Sequence, residues 1–299
     1  MSTVDRPGSV ACLVLAHGDP QHARRLRAAL VPFDVFLHCD RRTDEAMAAA
    51  LTEGLAPSRI VTPRQACAWG AIGLVEAELQ GYRQFLEHSS AAHLVVMSGA
   101  DYPLRSTADI AAFLAEVGDR SVANFWPLPF PAWGRSGGFQ RLRYRHWAWR
   151  KHMIRLPLPR RLPEGVVPSG ASVWKILSRR HVEAVLAAVR QRPDLLEFWR
   201  RSWSADETFV PTLLRSPVTD ADWEAESVWG EAWWIGWDGK PRKSPPWLDE
   251  DYFDRLAAGA AGEGRPVPAL FARKVSTTRS PGLLDRIDTE LRSAPVVAP

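Results

Sequence analysis

Apolar runs of strand length alternate with helical stripes along the first 125 residues. Val10 to Ala16 is an unbroken apolar run, and Asp19-Pro20 after it caps and opens a helix through Leu30. Val35-Phe36-Leu37 predicts a second strand and Ile60-Val61 a short third. Ile72, Val75, Leu79, Tyr82 and Leu86 then recur at steps of three and four, the spacing of a long helix with one face in the core. His93 to Met97 reads as the next strand, and Ser106 or Thr107 caps a helix from Asp109 to Val117. A strand at Val122 to Phe125 closes this part. Strand, helix and strand in succession are βαβ logic and predict an α/β fold.

After residue 125 the pattern changes. Residues 126–168, including FWPLPFPAWGR and RLRYRHWAWRKHMIRLPLPRRLPEG, predict a long irregular insertion. Long ordered loops in compact domains usually carry function. Order resumes with GASVWKILS, a turn into a strand, and a helix from Arg179 to Arg190. Helical stretches follow at Asp194 to Arg201 and Ala205 to Leu214, then a tryptophan-rich strand in EAWWIGWDG. A helix near Glu250 to Leu256, the segment PALFARKV and an amphipathic helix from Leu283 to Leu291 complete the pattern. With no repeat and no interdomain linker, one domain is expected over residues 1–292, in parts 9–125, 126–168 and 169–292. A disordered tail is expected at 293–299.

A hydrophobic content of 46% over 299 residues excludes whole-chain disorder. The net charge of +4 suits an anionic ligand such as a nucleotide diphosphate and falls short of a dedicated nucleic-acid binder. Cys12, Cys39 and Cys67 lie far apart without CxxC spacing, as expected for reduced thiols of a cytoplasmic protein, with neither a disulfide framework nor a zinc site. No run of about 18 apolar residues occurs, and MSTVDRPGSV places an aspartate and a proline ahead of any apolar stretch. Neither a signal peptide nor a membrane anchor is expected. Fourteen tryptophans exceed the needs of a core this size, and several stand near arginines or carboxylates, which hints at a sugar or aromatic ligand beside ordinary indole packing.

Ligands of open α/β sheets bind beyond the carboxyl ends of the strands. Four polar stretches fall there: AHGDP (16–20), HCD (38–40), SGADYP (98–103) and the region of Gly170. GxGxxG and GxxxxGK[ST] are both absent, so phosphates would be met by side chains, with Arg242-Lys243 and Arg273-Lys274 as candidates or as plain surface charge. No DxD stands at a strand end. A single strand-end aspartate reads more naturally as an acceptor for a sugar or ribose hydroxyl than as a metal site, and Asp101 also fits an Asx-turn. Glu207, in WSADETFVPTLL, either complements a helix dipole together with Asp206 or serves as a general base beside Trp203.

Taken in order, HxD, WG, SGADYPLRS, GASVWKILSRRHVEAVL, ADETFVPTLL and LFARKV resemble the core-2/I-branching glycosyltransferase family, from about residue 10 to residue 275. That family includes branching β-1,6-N-acetylglucosaminyltransferases and peptide O-xylosyltransferases. The resemblance implies a GT-A-like fold, with a mixed, mostly parallel central sheet flanked by helices. Residues 9–125 would be its nucleotide-binding half and 169–292 its acceptor and catalytic half. It further implies a UDP-sugar donor, inversion at the anomeric centre and no required metal or other cofactor, with N-acetylglucosamine or xylose transferred. By that resemblance Asp40, with His17 at the neighbouring strand end, lies near the uridine. Lys274, shared with Arg273 and helped by Arg242 or Lys243, would neutralise the diphosphate. Glu207 matches the catalytic base, and Asp101 is a second base candidate or a ligand to a donor or acceptor hydroxyl. Trp69, Ser98, Gly99, Tyr102, Ser172, Trp174, Trp203 and Asp206 would surround the sugar and the acceptor. Relatives of the secretory pathway commonly have anchors and disulfides, and this departure implies a bacterial-type cytoplasmic enzyme acting on a glycan, cell-envelope or natural-product acceptor. The alternative is a non-catalytic carbohydrate-binding protein on a degenerate transferase fold.

Overall fold

β1 (Val10–Ala16) is apolar along its whole length because both of its faces are covered: every residue of it is buried. The structure, a computed structural model, describes residues 9–149, 152–237 and 244–293. β1 pairs in parallel with β2 (Asp34–Cys39), Leu13 opposite Phe36, and with β3 (His93–Ser98), Leu13 opposite Val96. The connections carry α1 (Pro20–Ala29), α2 (Glu45–Thr52) and α3 (Gly73–His88). The Asp19 carboxylate caps α1 by accepting from the His22 N–H at 3.0 Å.

β4 (Asp101–Pro103), α4 (Thr107–Val117), β5 (Ser121–Val122) and β6 (Phe125–Pro127) follow. Next come α5 (Gln140–Arg143), β7 (Tyr144–Trp149), β8 (His152–Pro159), β9 (Ser169–Ala171) and β10 (Lys175–Ser178). The chain goes on through α6 (Arg179–Gln191), α7 (Pro193–Trp199), α8 (Ala205–Leu214), β11 (Ser227–Val228) and β12 (Trp233–Ile235). α9 (Phe253–Ala261), β13 (Phe271–Arg273) and α10 (Pro281–Arg286) follow, and α10 runs on into a π-helical turn, Ile287–Leu291.

The main sheet has the order β11-β5-β10-β3-β1-β2, and β10 runs against both of its neighbours. This is the mixed, mostly parallel central sheet expected from the sequence. A smaller sheet, β12-β13-β4, lies beyond the end of β3, while β6 pairs with β9 and β7 with β8. Alternation along β1 feeds two cores. Cys12 and Val14 pack on one face with Leu26, Leu37 and Phe271, and Leu13 packs on the other with Phe36, Phe85 and Phe209.

Three expectations are corrected. Ile60 makes one isolated bridge to Leu37 instead of a strand; the preceding Pro57–Arg59 is a 3-10 turn, and Pro63 has no N–H to continue a ladder. The strand expected at Val122 to Phe125 divides, its first part joining β10 and its second joining β9. The insertion is not wholly irregular, since β7 and β8 form a hairpin whose alternation is masked by its prolines and arginines. Arg242, Lys243 and residues 294–299 of the expected tail lie outside the described residues. Cys12, Cys39 and Cys67 are free thiols. No described helix is long and apolar enough to cross a membrane.

One ion pair is wholly enclosed in the second core. Lys175 of β10 and Glu78 of α3 lie 2.8 Å apart with side chains 1% and 0% exposed. The Tyr82 hydroxyl also donates to Glu78, and Lys175 Nζ donates to the Val173 carbonyl at 2.7 Å. Removing one member strands the other charge away from water, whereas removing both does not. Lys175→Met is therefore expected to cost about 3–5 kcal/mol in urea unfolding, and adding Glu78→Leu is expected to recover most of that loss. Equal losses in the single and double variants would contradict this reading.

Candidate active site

Asp40 follows β2 directly, fixed by its backbone N–H on the Ala16 carbonyl at 2.9 Å. Its Oδ1 accepts from the N–H groups of Arg42 (2.9 Å) and Cys67 (3.2 Å), and its Oδ2 from Arg42 Nη2 at 2.7 Å. Burial pushes the Asp40 pKa up, but these donors outweigh it and hold the carboxyl below its ordinary value. His17 is exposed at the neighbouring end of β1, where its carbonyl accepts from Thr43 Oγ1 at 3.2 Å.

Antiparallel pairing of β4 with β13 sets Asp101 opposite Arg273. Asp101 is completely buried. Its Oδ1 accepts from Ser98 Oγ at 2.8 Å and Arg273 Nη1 at 2.6 Å; its Oδ2 accepts from the Ser98 N–H at 2.9 Å and Trp233 Nε1 at 3.1 Å. Arg273 also donates to the Ser98 hydroxyl and lies 4.3 Å over the Trp174 ring. Lys274, the next residue, holds its ammonium 4.5 Å from the Trp247 ring and 3.3 Å from Ser244 Oγ. Burial foremost, then Arg273 and Arg279, push its pKa down. Trp174 is steadied by its N–H on Ser172 Oγ at 3.4 Å. Gly99 packs tightly on the end of β1, where a Cβ would stand 3.1 Å from that of Ala16.

This departs from the sequence reading in two places. Asp101 faces protein donors instead of open space, so all its acceptor capacity goes to positioning Ser98, Trp233 and Arg273. Tyr102, next along the strand, points to the opposite face, where its hydroxyl donates to Asp288 at 2.9 Å.

Glu207 lies in the first turn of α8. Ser204, just before the helix, adopts a left-handed conformation (φ 48°), and its N–H donates to the Gly70 carbonyl at 2.8 Å. Gly70 itself has φ +69°, and a Cβ there would meet the Trp203 indole at 2.8 Å. The WG pair thus has a physical reason: only glycine both turns there and admits Trp203 so closely. Trp69 is half exposed, with its ring 6.1 Å from that of Trp203. Glu207, one-third exposed, forms an ion pair with Arg141 of α5. The Arg141 guanidinium lies 4.0 Å over the Trp133 ring and 5.4 Å from that of Trp203. Pro211 cannot donate to the Glu207 carbonyl four residues before it.

Beside this pair, Asp206 has a buried Oδ1 without a hydrogen-bond partner among the described residues. Burial first, and the neighbouring Glu207 second, push its carboxyl up to about 7. One loop joins the two sides of the site. Cys67 donates its N–H to Asp40 and accepts from Arg42 at 2.5 Å, and three residues on Gly70 anchors Ser204. A cavity of about 260 Å³ opens next to Trp203, lined by Ile72, His146, Trp147, Met153, Arg201 and Ser202 among others. Among the described residues no group of three or more His, Cys, Asp or Glu side chains is placed to hold a metal ion.

Sequence reasoning missed Arg42, Arg141, Trp233 and Trp247. Arg42 left a signal two residues after Asp40. The others are joined to the site only by the fold.

The family model for the Core-2/I-Branching enzyme matches residues 10–256. The chain belongs to the Core-2/I-Branching enzyme family. Human xylosyltransferase 1 is 30% identical over 223 residues, covering 72% of this chain and 23% of the relative. Human xylosyltransferase 2 is 28% identical over 223 residues, covering 71% and 25%. The chain therefore spans about a quarter of the length of the curated relatives it matches. A solved structure of the galactosyltransferase LgtC with donor and acceptor sugar analogs matches with a TM-score of 0.40 and 12% identity, over 95% of this chain and 97% of that one; likeness at that level carries no argument. The Core-2/I-Branching match holds Asp40, Asp101 and Glu207 but ends before Arg273 and Lys274. The ion pair between Asp101 and Arg273 ties the remaining segment to it.

The elevated Asp206 pKa sets a pH dependence. Folded, the group titrates near 7, against an ordinary value of 3.8, so the folded state holds the extra proton between these values. Its contribution to stability is full below the lower value and is lost as pH rises through the higher one. Asp206→Asn should accordingly be more stable than wild type at pH 8, with the gap closing as pH falls toward 4. Urea midpoints across that range give the measurement; a gap independent of pH would show that the carboxyl titrates normally.

Proposed function

We propose that the protein is an inverting glycosyltransferase that moves a sugar from a UDP-sugar to an acceptor hydroxyl, with Glu207 as general base. The observation that carries this reading is the contrast between two carboxylates. Asp101 is buried with its oxygens occupied, whereas Glu207 reaches the surface of a site joined to Asp40 by the 65–70 loop.

In this reading Asp40 and His17 lie at the nucleoside end, and Arg273 and Lys274 meet the diphosphate. Asp101 is a positioning residue that holds the Arg273 guanidinium over the Trp174 ring. The acceptor oxygen attacks the anomeric carbon opposite the leaving group. The carbon–oxygen bond to UDP breaks with its electron pair going to the diphosphate, and the acceptor proton passes to Glu207. Arg141 shares one Glu207 oxygen and so fixes the direction of the other. Positive charge from Arg273 and Lys274 supports transfer without a required metal.

Xylose is the favoured donor sugar because the curated relatives are named xylosyltransferases, with N-acetylglucosamine second. The acceptor side belongs to Trp69, Trp203 and the insertion, and a glycan, cell-envelope or natural-product acceptor fits their ring faces. The three free thiols support a reducing, cytoplasmic setting.

Glu207→Gln is expected to lower turnover about 10²-fold or more while UDP affinity stays within about twofold. Wild-type hydrolysis of UDP-xylose should persist in EDTA. Full turnover in Glu207→Gln would remove the assigned base, and UDP binding without turnover in wild type would favour a carbohydrate-binding protein.

A further inference from the structure

β7 and β8 pair with each other and with no other described strand. Their register puts Trp147 opposite Ile154 and Arg145 opposite Leu156, so these four share one face, while His146 and Met153 fall on the other. The inner face is anchored. The His146 N–H donates to the Arg201 carbonyl at 2.9 Å, its ring stands 6.1 Å from that of Trp203, and Met153 helps to line the cavity beside the site.

The outer face is open. Trp147 is 51% exposed, Ile154 42% and Leu156 36%, and Leu158 farther along β8 is 54% exposed. Single exposed apolar residues are ordinary, but four on one two-stranded ribbon form a patch. Its surroundings are cationic. Arg145 is exposed on the same face, Arg201 lies 4.6 Å over the Trp147 ring, and Arg155 lies 5.2 Å over that of Tyr144. Residues 120–163 contain ten arginines and lysines and no aspartate or glutamate.

We propose that this outer face docks the protein on an anionic lipid surface. Indole at headgroup depth, short aliphatic chains below it and arginines on lipid phosphates are the chemistry of interfacial binding. A second copy of the chain is a poor occupant, because a twofold contact through this face would oppose two basic surfaces with no acidic residue of the segment to compensate. Trp147 also lines the cavity beside Trp203, so docking through this face would bring one edge of that cavity up to the lipid surface.

Co-sedimentation of the full chain with vesicles tests the proposal, and it reads lipid binding whether or not the transferase reading holds. Wild type should bind vesicles of phosphatidylglycerol and phosphatidylcholine, bind pure phosphatidylcholine weakly, and be released as NaCl rises to about 0.5 M. The Ile154→Ser/Leu156→Ser variant should lose about tenfold or more in partitioning while keeping its urea midpoint and UDP binding. Arg145→Gln should weaken binding to anionic vesicles alone. No vesicle binding by wild type, equal binding to neutral vesicles, or a wild-type dimer that the double serine variant makes monomeric would each overturn it.

Discussion

A carboxylate taken completely out of water must be met by donors on every side, and the structure around Asp101 is arranged to meet that demand. Ser98 at the end of β3 supplies two donors, Trp233 of β12 one and Arg273 of β13 one. Each partner is fixed by the same requirement, since moving any of them would leave a buried charge short of a bond, at a cost of about 1–3 kcal/mol or more. The smaller sheet is thereby locked to the end of the main one. Arg273, pinned from one side by Asp101, lies over Trp174, and Lys274 is delivered to the rim beside Trp247.

Glu207 shows the opposite use of the same chemical group. It is held by a single guanidinium, itself laid over two tryptophan rings, and a third of its side chain remains open. Asp206, next to it, is buried with one oxygen unpartnered and a raised pKa. Three carboxylates therefore differ in environment: one saturated with donors, one partly open to solvent, one inclined to keep its proton. The loop from Gln65 to Gly70 coordinates the ends of the site, because one backbone segment holds both Asp40 and the start of α8.

What could be read from the sequence was what short-range pattern encodes. β1, β3, α3 and α8 follow from apolar runs, period and caps, and Glu207 stood out because it opens a helix. Partnerships across the fold were not legible. Asp101 and Arg273 are 172 residues apart, and no local signal says that one will saturate the other. Asp101 and Tyr102 read as one polar stretch, yet strand alternation sends them to opposite faces. Arg141 sat in a segment whose prolines obscured a hairpin, and its pairing with Glu207 exists only once α5 packs against the loop before α8. Trp203 donates its N–H to the Arg141 carbonyl at 3.1 Å in that packing.

The reversed strand β10 bears on how the chain is made. β3 gains its second neighbour only when Lys175–Ser178 arrives, after the entire arginine-rich excursion has been synthesised. Without that strand, Leu94, Val95, Val96 and Met97 have one side of their backbone unpaired with any other strand. A chain that paired β1, β2 and β3 before β10 was made would thus carry the centre of the finished sheet as an exposed, adhesive edge.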